Sequence, residues 1–232
     1  MMATMDTHPA TNDPGLPVGD RVAAALDAVE ATPLLPGAVL LPAAAEPLAA
    51  DLADVLRPVI RQAPWRHMQT PGNRRMAVAT SNCGALGWVS DARGYRYTAV
   101  DPTTGEPWPA MPALCSALAT AAAGRAGYPG FVPDACLVNR YRPGIQLGLH
   151  QDRDEASHDH PIVSVSLGLP AVFVFGGLER GGRTLRLELR HGDVLVWGGP
   201  ARLRFHGVRP LAEGHHPFAG DSRINLTLRR AG

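Results

Sequence analysis

Lysine is absent from this chain of 232 residues, so all 22 basic side chains are arginine. The charges are also unevenly spread. Residues 1–60 hold 8 Asp and Glu against 2 Arg, and residues 61–232 hold 20 Arg against 13 acids. Genomic composition bias accounts for the missing lysine and agrees with the abundant Ala, Gly and Pro. A chemical reading stands beside it: the C-terminal body meets an anion, because Arg grips phosphate or carboxylate through paired N–H groups. Cysteine is scarce. Three widely spaced cysteines and no CxxC step exclude a disulfide framework and a cysteine zinc site. No apolar run approaches the roughly 18–20 residues of a membrane helix. The first twenty residues carry Asp6, Asp13 and Asp20 without a basic start or an apolar stretch, so no signal peptide is read. The cytoplasm is the expected compartment, with no membrane partner. An ordinary balance of 45% hydrophobic and 19% charged residues excludes wholesale disorder.

Residues 1–19 are rich in Thr, Pro, Asp and Gly and read as a disordered tail. A short helix is expected over Asp20–Ala31, capped by Asp20, and a strand over Ala38–Leu41. Apolar residues at helical spacing (Leu48, Leu52, Val55, Leu56, Val59, Ile60) predict a helix over Ala44–Gln62, kinked or split by Pro58. Residues 64–112 read as loop-rich and hold Trp65, Trp88, Tyr95, Tyr97 and Trp108. Another helix is expected over Ala113–Ala126, ended by Gly127. From Asp134 the period becomes two. Strands are expected over Ala135–Tyr141, Ile162–Leu169, Ala171–Phe175, Leu185–Leu189, Val194–Trp197, Leu203–His206 and Arg223–Arg229, with Gly-rich turns between them. Helices first and short strands after predict an α+β fold, with helices packed on a β-sandwich of jelly-roll type.

His150-Gln151-Asp152 is a His-x-Asp step. On a strand, residues i and i+2 share a face, so both side chains grip one ion. His206 follows at the end of another expected strand. Two His and one carboxylate form a facial triad that leaves iron(II) three open positions for a cosubstrate and dioxygen. The last strand alternates strictly. Arg223, Asn225, Thr227 and Arg229 share one face, and Ile224, Leu226 and Leu228 the other. Two arginines and two hydrogen-bonding groups aimed inward are costly to bury without partners, and a small dicarboxylate satisfies them. Asn139 and Tyr141, with Leu137 in register, offer a matching face. Alternatively, the Arg strand is a solvated sheet edge.

At these residues the chain resembles the AlkB family of iron(II)- and 2-oxoglutarate-dependent nucleic acid dealkylases, on its bacterial DNA-repair side. The resemblance runs from about Gly37 to Gly232. It is densest at Thr80–Trp88, Asp134–Tyr141, His150–Asp152, Pro161–Leu169, His191–Gly199 and Arg223–Arg229. The Arg-x-Asn-x-x-x-Arg strand is specific to this family; the His-x-Asp step and distal His mark only the wider superfamily. The resemblance implies a double-stranded β-helix core over 134–232 within a dioxygenase domain over 37–232. It also implies a nucleotide-recognition lid over 64–112 and a largely disordered extension over 1–36. His150, Asp152 and His206 become the iron ligands. Arg223, helped by Asn139 and Tyr141, takes the distal carboxylate of 2-oxoglutarate. Arg229 and Asn225 lie near its metal-bound end, and Leu137 walls the pocket. Trp88 stacks on the target base opposite His150, Tyr95 meets the nucleic acid backbone, and Asp154 and Arg180 sit at the polar edge of the base.

The implied reaction uses Fe(II), 2-oxoglutarate and dioxygen to hydroxylate the methyl of 1-methyladenine or 3-methylcytosine, with release of formaldehyde. Alkylated single-stranded DNA is the expected partner, with double-stranded DNA and RNA as alternatives, and the protein is expected to act as a monomer. Thr80 and Ala85 stand where the family places larger side chains, which bears on lesion preference. Two other readings stay open: a hydroxylase of a substrate that is not nucleic acid, and a non-catalytic reader of modified bases. Bland roles are expected elsewhere: a solvated turn for His158-Asp159-His160, the surface for His215-His216, turns for His67 and His191, and the core for Trp197. Arg66, Arg74 and Arg75 are read equally as phosphate contacts and as a solvated loop.

Overall fold

The computed structural model describes residues 15–232. Three helices and thirteen strands follow in chain order. The helices are α1 (Val18–Asp27), α2 (Ala49–Gln62) and α3 (Ala113–Arg125). The strands are β1 (Thr32–Leu35), β2 (Ala38–Leu41), β3 (Ala79–Gly84), β4 (Gly87–Asp91), β5 (Gly94–Thr98), β6 (Ala135–Tyr141) and β7 (Leu147–His150). They continue with β8 (Ile162–Gly168), β9 (Ala171–Phe175), β10 (Leu185–Leu189), β11 (Val194–Trp197), β12 (His206–Val208) and β13 (Arg223–Arg229).

The strands build two antiparallel sheets and a hairpin. The major sheet runs β1-β2-β11-β8-β13-β6-β3, the minor sheet runs β10-β9-β12-β7, and β4 pairs with β5. Helices on one face of a jelly-roll give the expected α+β class. Two cores result. One lies between the helices and the outer face of the major sheet, where Leu226 and Leu228 of β13 meet Leu52, Leu56 and Leu118. The other lies between the sheets, where Trp197 and Tyr141 meet Phe173 and Phe175.

Alternation decides which side chains go where. Every second residue of β13 enters the helix-side core, so Arg223, Asn225, Thr227 and Arg229 face the space between the sheets. Helix α3 succeeds for a different reason. Its buried stripe of Leu114, Cys115, Leu118, Ala119, Ala122 and Ala123 is mostly small, which lets it lie close to the sheet. It ends in a Schellman turn: Gly127, at φ +90°, lets the Tyr128 N–H reach the Ala123 carbonyl at 2.8 Å and its own N–H reach Gly124 at 3.1 Å.

Several expectations change. Residues 1–14 of the expected tail lie outside the described residues. From Val18 the chain is ordered, so a largely disordered 1–36 does not hold: α1 packs on α3, and β1 pairs with β2. Helix α1 starts two residues before Asp20, which therefore lies in its first turn and does not cap it. Pro58 does not split α2. It sits on the exposed side, and the helix runs on to Gln62. The region 64–112 carries three strands, and β1, β2 and β3 extend the jelly-roll sheet beyond 134–232. The strand expected over Leu203–His206 begins at His206 instead. Trp197 is 2% exposed, as its core role requires, though it also reaches the cavity described next.

Candidate active site

A cavity of about 380 Å³ opens between the two sheets, and all thirteen residues singled out for the site line it. Three of its lining residues form a cluster. His150 closes β7 and His206 opens β12, and the two are register partners across that strand pair, with ring centroids 4.4 Å apart. Asp152 lies beyond the end of β7, so the His-x-Asp pair is shaped by the chain leaving the sheet and not by one strand face. The ligand atoms of His150, Asp152 and His206 all lie within 4.8 Å of one another. Nε2 of His150 is 3.5 Å from Asp152 Oδ1, and Nε2 of His206 is 3.7 Å from Asp152 Oδ2.

Second contacts fix the rings. Nδ1 of His150 is 2.9 Å from the Gly148 carbonyl, and Nδ1 of His206 is 3.0 Å from the Arg204 carbonyl. A carbonyl only accepts, so each Nδ1 carries the hydrogen and each Nε2 turns its lone pair toward the cluster. Burial pushes His206 down to about 4, so it is neutral at physiological pH. Burial alone would raise the Asp152 carboxyl, but the Arg229 guanidinium, and after it the His206 and His150 imidazoles, outweigh burial and hold it well below the ordinary range. His150 is pulled down by burial and up by Asp152, and Asp152 prevails. Two imidazoles and an ionised carboxylate, brought together from the end of β7, the segment after it and the start of β12, make a metal site.

The inner wall is built by register. β13 lies between β6 and β8, which aligns Arg223 with Tyr141, Asn225 with Asn139 and Thr227 with Leu137. Arg223 is 1% exposed. Its Nη2 donates to Ser166 Oγ at 2.9 Å, and its guanidinium carbon stands 5.4 Å from the Tyr141 ring centroid. Nε and Nη1 are buried and have no protein acceptor. Burial pushes the Arg223 guanidinium down and the Tyr141 phenol up to about 12, so the phenol keeps its hydrogen as a donor at neutral pH. A carboxylate with two oxygens answers that pair of bare N–H groups. Asn225 is held by Ser164 and the Val165 carbonyl and accepts from Thr227.

The mouth belongs to the β4–β5 hairpin. Trp88 and Tyr95 stack at 5.7 Å with 11° between their planes, and Tyr95 is exposed. The side-chain amide of Asn82 accepts from the Trp88 N–H at 3.1 Å and donates to its carbonyl at 3.0 Å, which clamps the backbone under the indole. Trp88 Nε1 donates to Asp154 Oδ2 at 2.7 Å. Arg180 is exposed on the β9–β10 connection, 5.1 Å from the Phe205 ring. Thr80 is buried in the cavity wall, while Ala85 is exposed on the β3–β4 connection.

Four contributors were not singled out from the sequence. Glu155 is buried and ion-paired at 3.1 Å to both Arg202 and Arg229. Arg229 donates to Asp152 Oδ2 from Nη2 at 2.6 Å and from Nε at 3.1 Å, and Arg202 donates to the Asp152 carbonyl at 2.9 Å. Tyr97 donates to Glu155 at 3.1 Å. Asn82 lay inside a quoted motif, but no periodicity marks a backbone clamp. An acidic run beside the His-x-Asp step was the available signal for Glu155.

The remaining candidates separate cleanly. Arg66 is held by Asp101 through two 2.6 Å bonds, which gives it a structural role; Arg74 and Arg75 are exposed. His158 and His160 are half-buried, so their turn is not simply solvated. His215 is exposed. His216 packs 4.5 Å from His191. Nδ1 of His191 accepts from the Gly168 N–H at 2.9 Å, and Nδ1 of His216 accepts from the Phe218 N–H at 3.1 Å. Each ring therefore places its hydrogen on Nε2, the reverse of the tautomer at His150 and His206. His67 is exposed, with Nδ1 2.9 Å from the Met76 carbonyl.

Residues 37–229 match the family model of the 2OG-Fe(II) oxygenase superfamily. The chain is 54% identical over 200 residues to the alpha-ketoglutarate-dependent dioxygenase AlkB of Escherichia coli K12, covering 86% of this chain and 93% of that protein. It is 50% identical over 171 residues to the AlkB homolog of Caulobacter vibrioides, covering 73% and 76%. Among solved structures, that of OsALKBH1 superposes with a TM-score of 0.74 at 27% identity, over 87% of this chain and all of that one.

Proposed function

The chain belongs to the AlkB family of the 2OG-Fe(II) oxygenase superfamily, and from that premise we propose how its cavity dealkylates a nucleobase. The protein is an iron(II)- and 2-oxoglutarate-dependent dioxygenase, and its reaction is the oxidative dealkylation of alkylated bases in nucleic acid. Its substrates on our reading are 1-methyladenine and 3-methylcytosine in single-stranded DNA.

One observation carries the assignment of the inner pocket. Arg223 presents two bare, buried N–H nitrogens to the cavity that also holds His150, Asp152 and His206. His150, Asp152 and His206 would hold the iron, and Arg223, Asn139 and Tyr141 would hold the distal carboxylate of 2-oxoglutarate, with Leu137 as a wall. Asn225 and Arg229 border its other end. Bound there, iron(II), 2-oxoglutarate and dioxygen supply the oxidising power that turns an N-methyl into a hydroxymethyl, which leaves as formaldehyde.

The protein's own residues do the selecting. His150, Asp152 and His206 line a cavity between two sheets, where we read a base still stacked in a duplex as unable to reach them, so the base arrives flipped out or already single-stranded. Trp88 and Tyr95 offer an aromatic platform at the mouth, and stacking tolerates any base. A 1-methyladenine or 3-methylcytosine ring is cationic, and Asp154, hydrogen-bonded to Trp88, sets a negative charge at its edge. Arg180, exposed across the mouth, meets the polar edge and the strand that carries the base. We read the working unit as a monomer, because the sequence carries no heptad repeat and no large apolar surface stripe. Among the described residues no helix is long and apolar enough to cross a membrane.

The test is a single-stranded oligonucleotide carrying one 1-methyladenine, incubated with iron(II), ascorbate and 2-oxoglutarate and read by mass spectrometry. Loss of one methylene unit that needs both iron(II) and 2-oxoglutarate and vanishes in Asp152→Ala is the expected result. Succinate formation with an unchanged oligonucleotide would keep the dioxygenase and remove the methyladenine substrate, turning attention to the Thr80 and Ala85 positions.

A further inference from the structure

The β4–β5 hairpin is tied to the segment after β7 at two points. Trp88 donates to Asp154 at the surface, and Tyr97 donates to Glu155 in the interior. Trp88 and Tyr97 are opposite residues of the same ladder, so both ties leave from one rung. Both acceptors lie within three residues of Asp152.

Glu155 is enclosed, with its side chain 1% exposed. Its two cationic neighbours are the two that hold Asp152. Arg229 grips the Asp152 carboxylate, and Arg202 grips its backbone carbonyl. The plainest account makes Glu155 a counter-charge for two buried guanidiniums. That account leaves Tyr97 over, because charge balance needs no phenol sent in from a separate hairpin. Burial pushes the Tyr97 phenol well above its ordinary range, so its hydrogen stays in place as a donor.

We propose that Glu155 is a positioning residue that couples the β4–β5 hairpin to the metal ligand Asp152. When a base stacks on Trp88 and the hairpin settles on it, the change at Tyr97 passes through Glu155 to Arg229 and alters how Arg229 holds Asp152 Oδ2. No proton or electron is transferred. What changes is the share of one carboxylate oxygen taken by the guanidinium and the share left for a metal ion, an effect of an outer partner on a ligand. The proposal rests on the cavity reading above and adds to it a route by which base occupancy reaches the metal.

The test uses the full chain with cobalt(II) in place of iron, without oxygen and with 2-oxoglutarate present. The visible spectrum of cobalt(II) reports its ligand geometry without any turnover. The methylated oligonucleotide is then added, and its binding is followed separately by fluorescence anisotropy. The wild-type spectrum is expected to change on addition. In Tyr97→Phe, which removes one oxygen, the change should shrink at least about fivefold while oligonucleotide affinity stays within about threefold. In Glu155→Gln, cobalt affinity should also fall about tenfold. With iron, succinate formed per formaldehyde released should rise in both. A full spectral response in Tyr97→Phe with an unchanged succinate-to-formaldehyde ratio overturns the coupling and leaves Glu155 a counter-charge. A wild-type spectrum that ignores the oligonucleotide while formaldehyde is still produced overturns it too, and spares the dealkylation reading. A wild type that shows the spectral response but releases no formaldehyde sinks the dealkylation reading alone. Should Glu155→Gln fail to fold, Tyr97→Phe decides.

Discussion

Replacing Arg223 by methionine should stabilise the unliganded protein and weaken its hold on 2-oxoglutarate. The side chain is nearly fully buried, only one of its three guanidinium nitrogens has a hydrogen-bond acceptor, and burial pushes its pKa down. Apolar replacement of buried charged groups is often neutral or stabilising, by about 1–4 kcal/mol. The Tyr141 ring returns part of the cost to the cation, about 1–2 kcal/mol for a desolvated pair. The net gain on substitution is therefore about 1 kcal/mol, which for a chain of this size raises Tm by about 2–4 °C. The ligand moves the other way. Removing one partner of a buried charge pair costs about 2–5 kcal/mol. That is a Kd weakened about 30- to 5,000-fold. Thermal melts with and without 2-oxoglutarate read both effects at once. At a concentration of 100 Kd the wild type gains about 2.7 kcal/mol, and a variant weakened about 100-fold gains about 0.4 kcal/mol under the same conditions. A less stable unliganded variant with an undiminished 2-oxoglutarate shift would refute the reasoning, because Arg223 would then be a strut.

Gly87→Ala should weaken oligonucleotide binding and leave 2-oxoglutarate binding unchanged. A Cβ there would stand 2.3 Å from the buried Trp108 ring, so β4 must shift under Trp88 at an overpacking cost of about 1–3 kcal/mol. Anisotropy and calorimetry separate the two ligands, and equal losses of both would count against a separate hairpin. His191→Asn should flatten the acid side of the stability curve. Burial and then the His216 charge hold His191 below its usual 6.5, and its Nδ1 must stay bare to accept from Gly168. The unfolded chain therefore takes up the proton first. The stabilisation is complete above about pH 6.5 and is lost as pH falls below it. Asparagine keeps an acceptor and does not titrate, so its Tm should fall less from about pH 7 to about pH 5 than the wild type's. Parallel curves would rule His191 out as the source.

What the sequence made legible follows from pattern. Strands β6, β9, β10, β11 and β13 keep the bounds that alternation and turn residues suggest, and the thirteen site residues share one cavity. The losses have physical causes. β3 is buried on both faces yet reads Ala-Thr-Ser-Asn-Cys-Gly, so neither alternation nor an apolar run announces it. β7 is four residues long and contains Gly148. Asp152 looked like the second tooth of a strand, but it lies where the chain has left the sheet. The interior ion network was hidden because Tyr97, Glu155, Arg202 and Arg229 come from four separate stretches and meet only when the hairpin and both sheets are in place.

Strand β13 divides its labour by parity. Ile224, Leu226 and Leu228 answer to the helices, and Arg223, Asn225, Thr227 and Arg229 answer to the cavity. Shifting the strand by one residue would exchange the two audiences and ruin both, since every side chain would cross the sheet. Within the fixed register the two sets are free of one another. The cavity-facing positions are therefore where a redesign for a different small acid belongs, and the intervening ones are where a more heat-resistant version is to be sought.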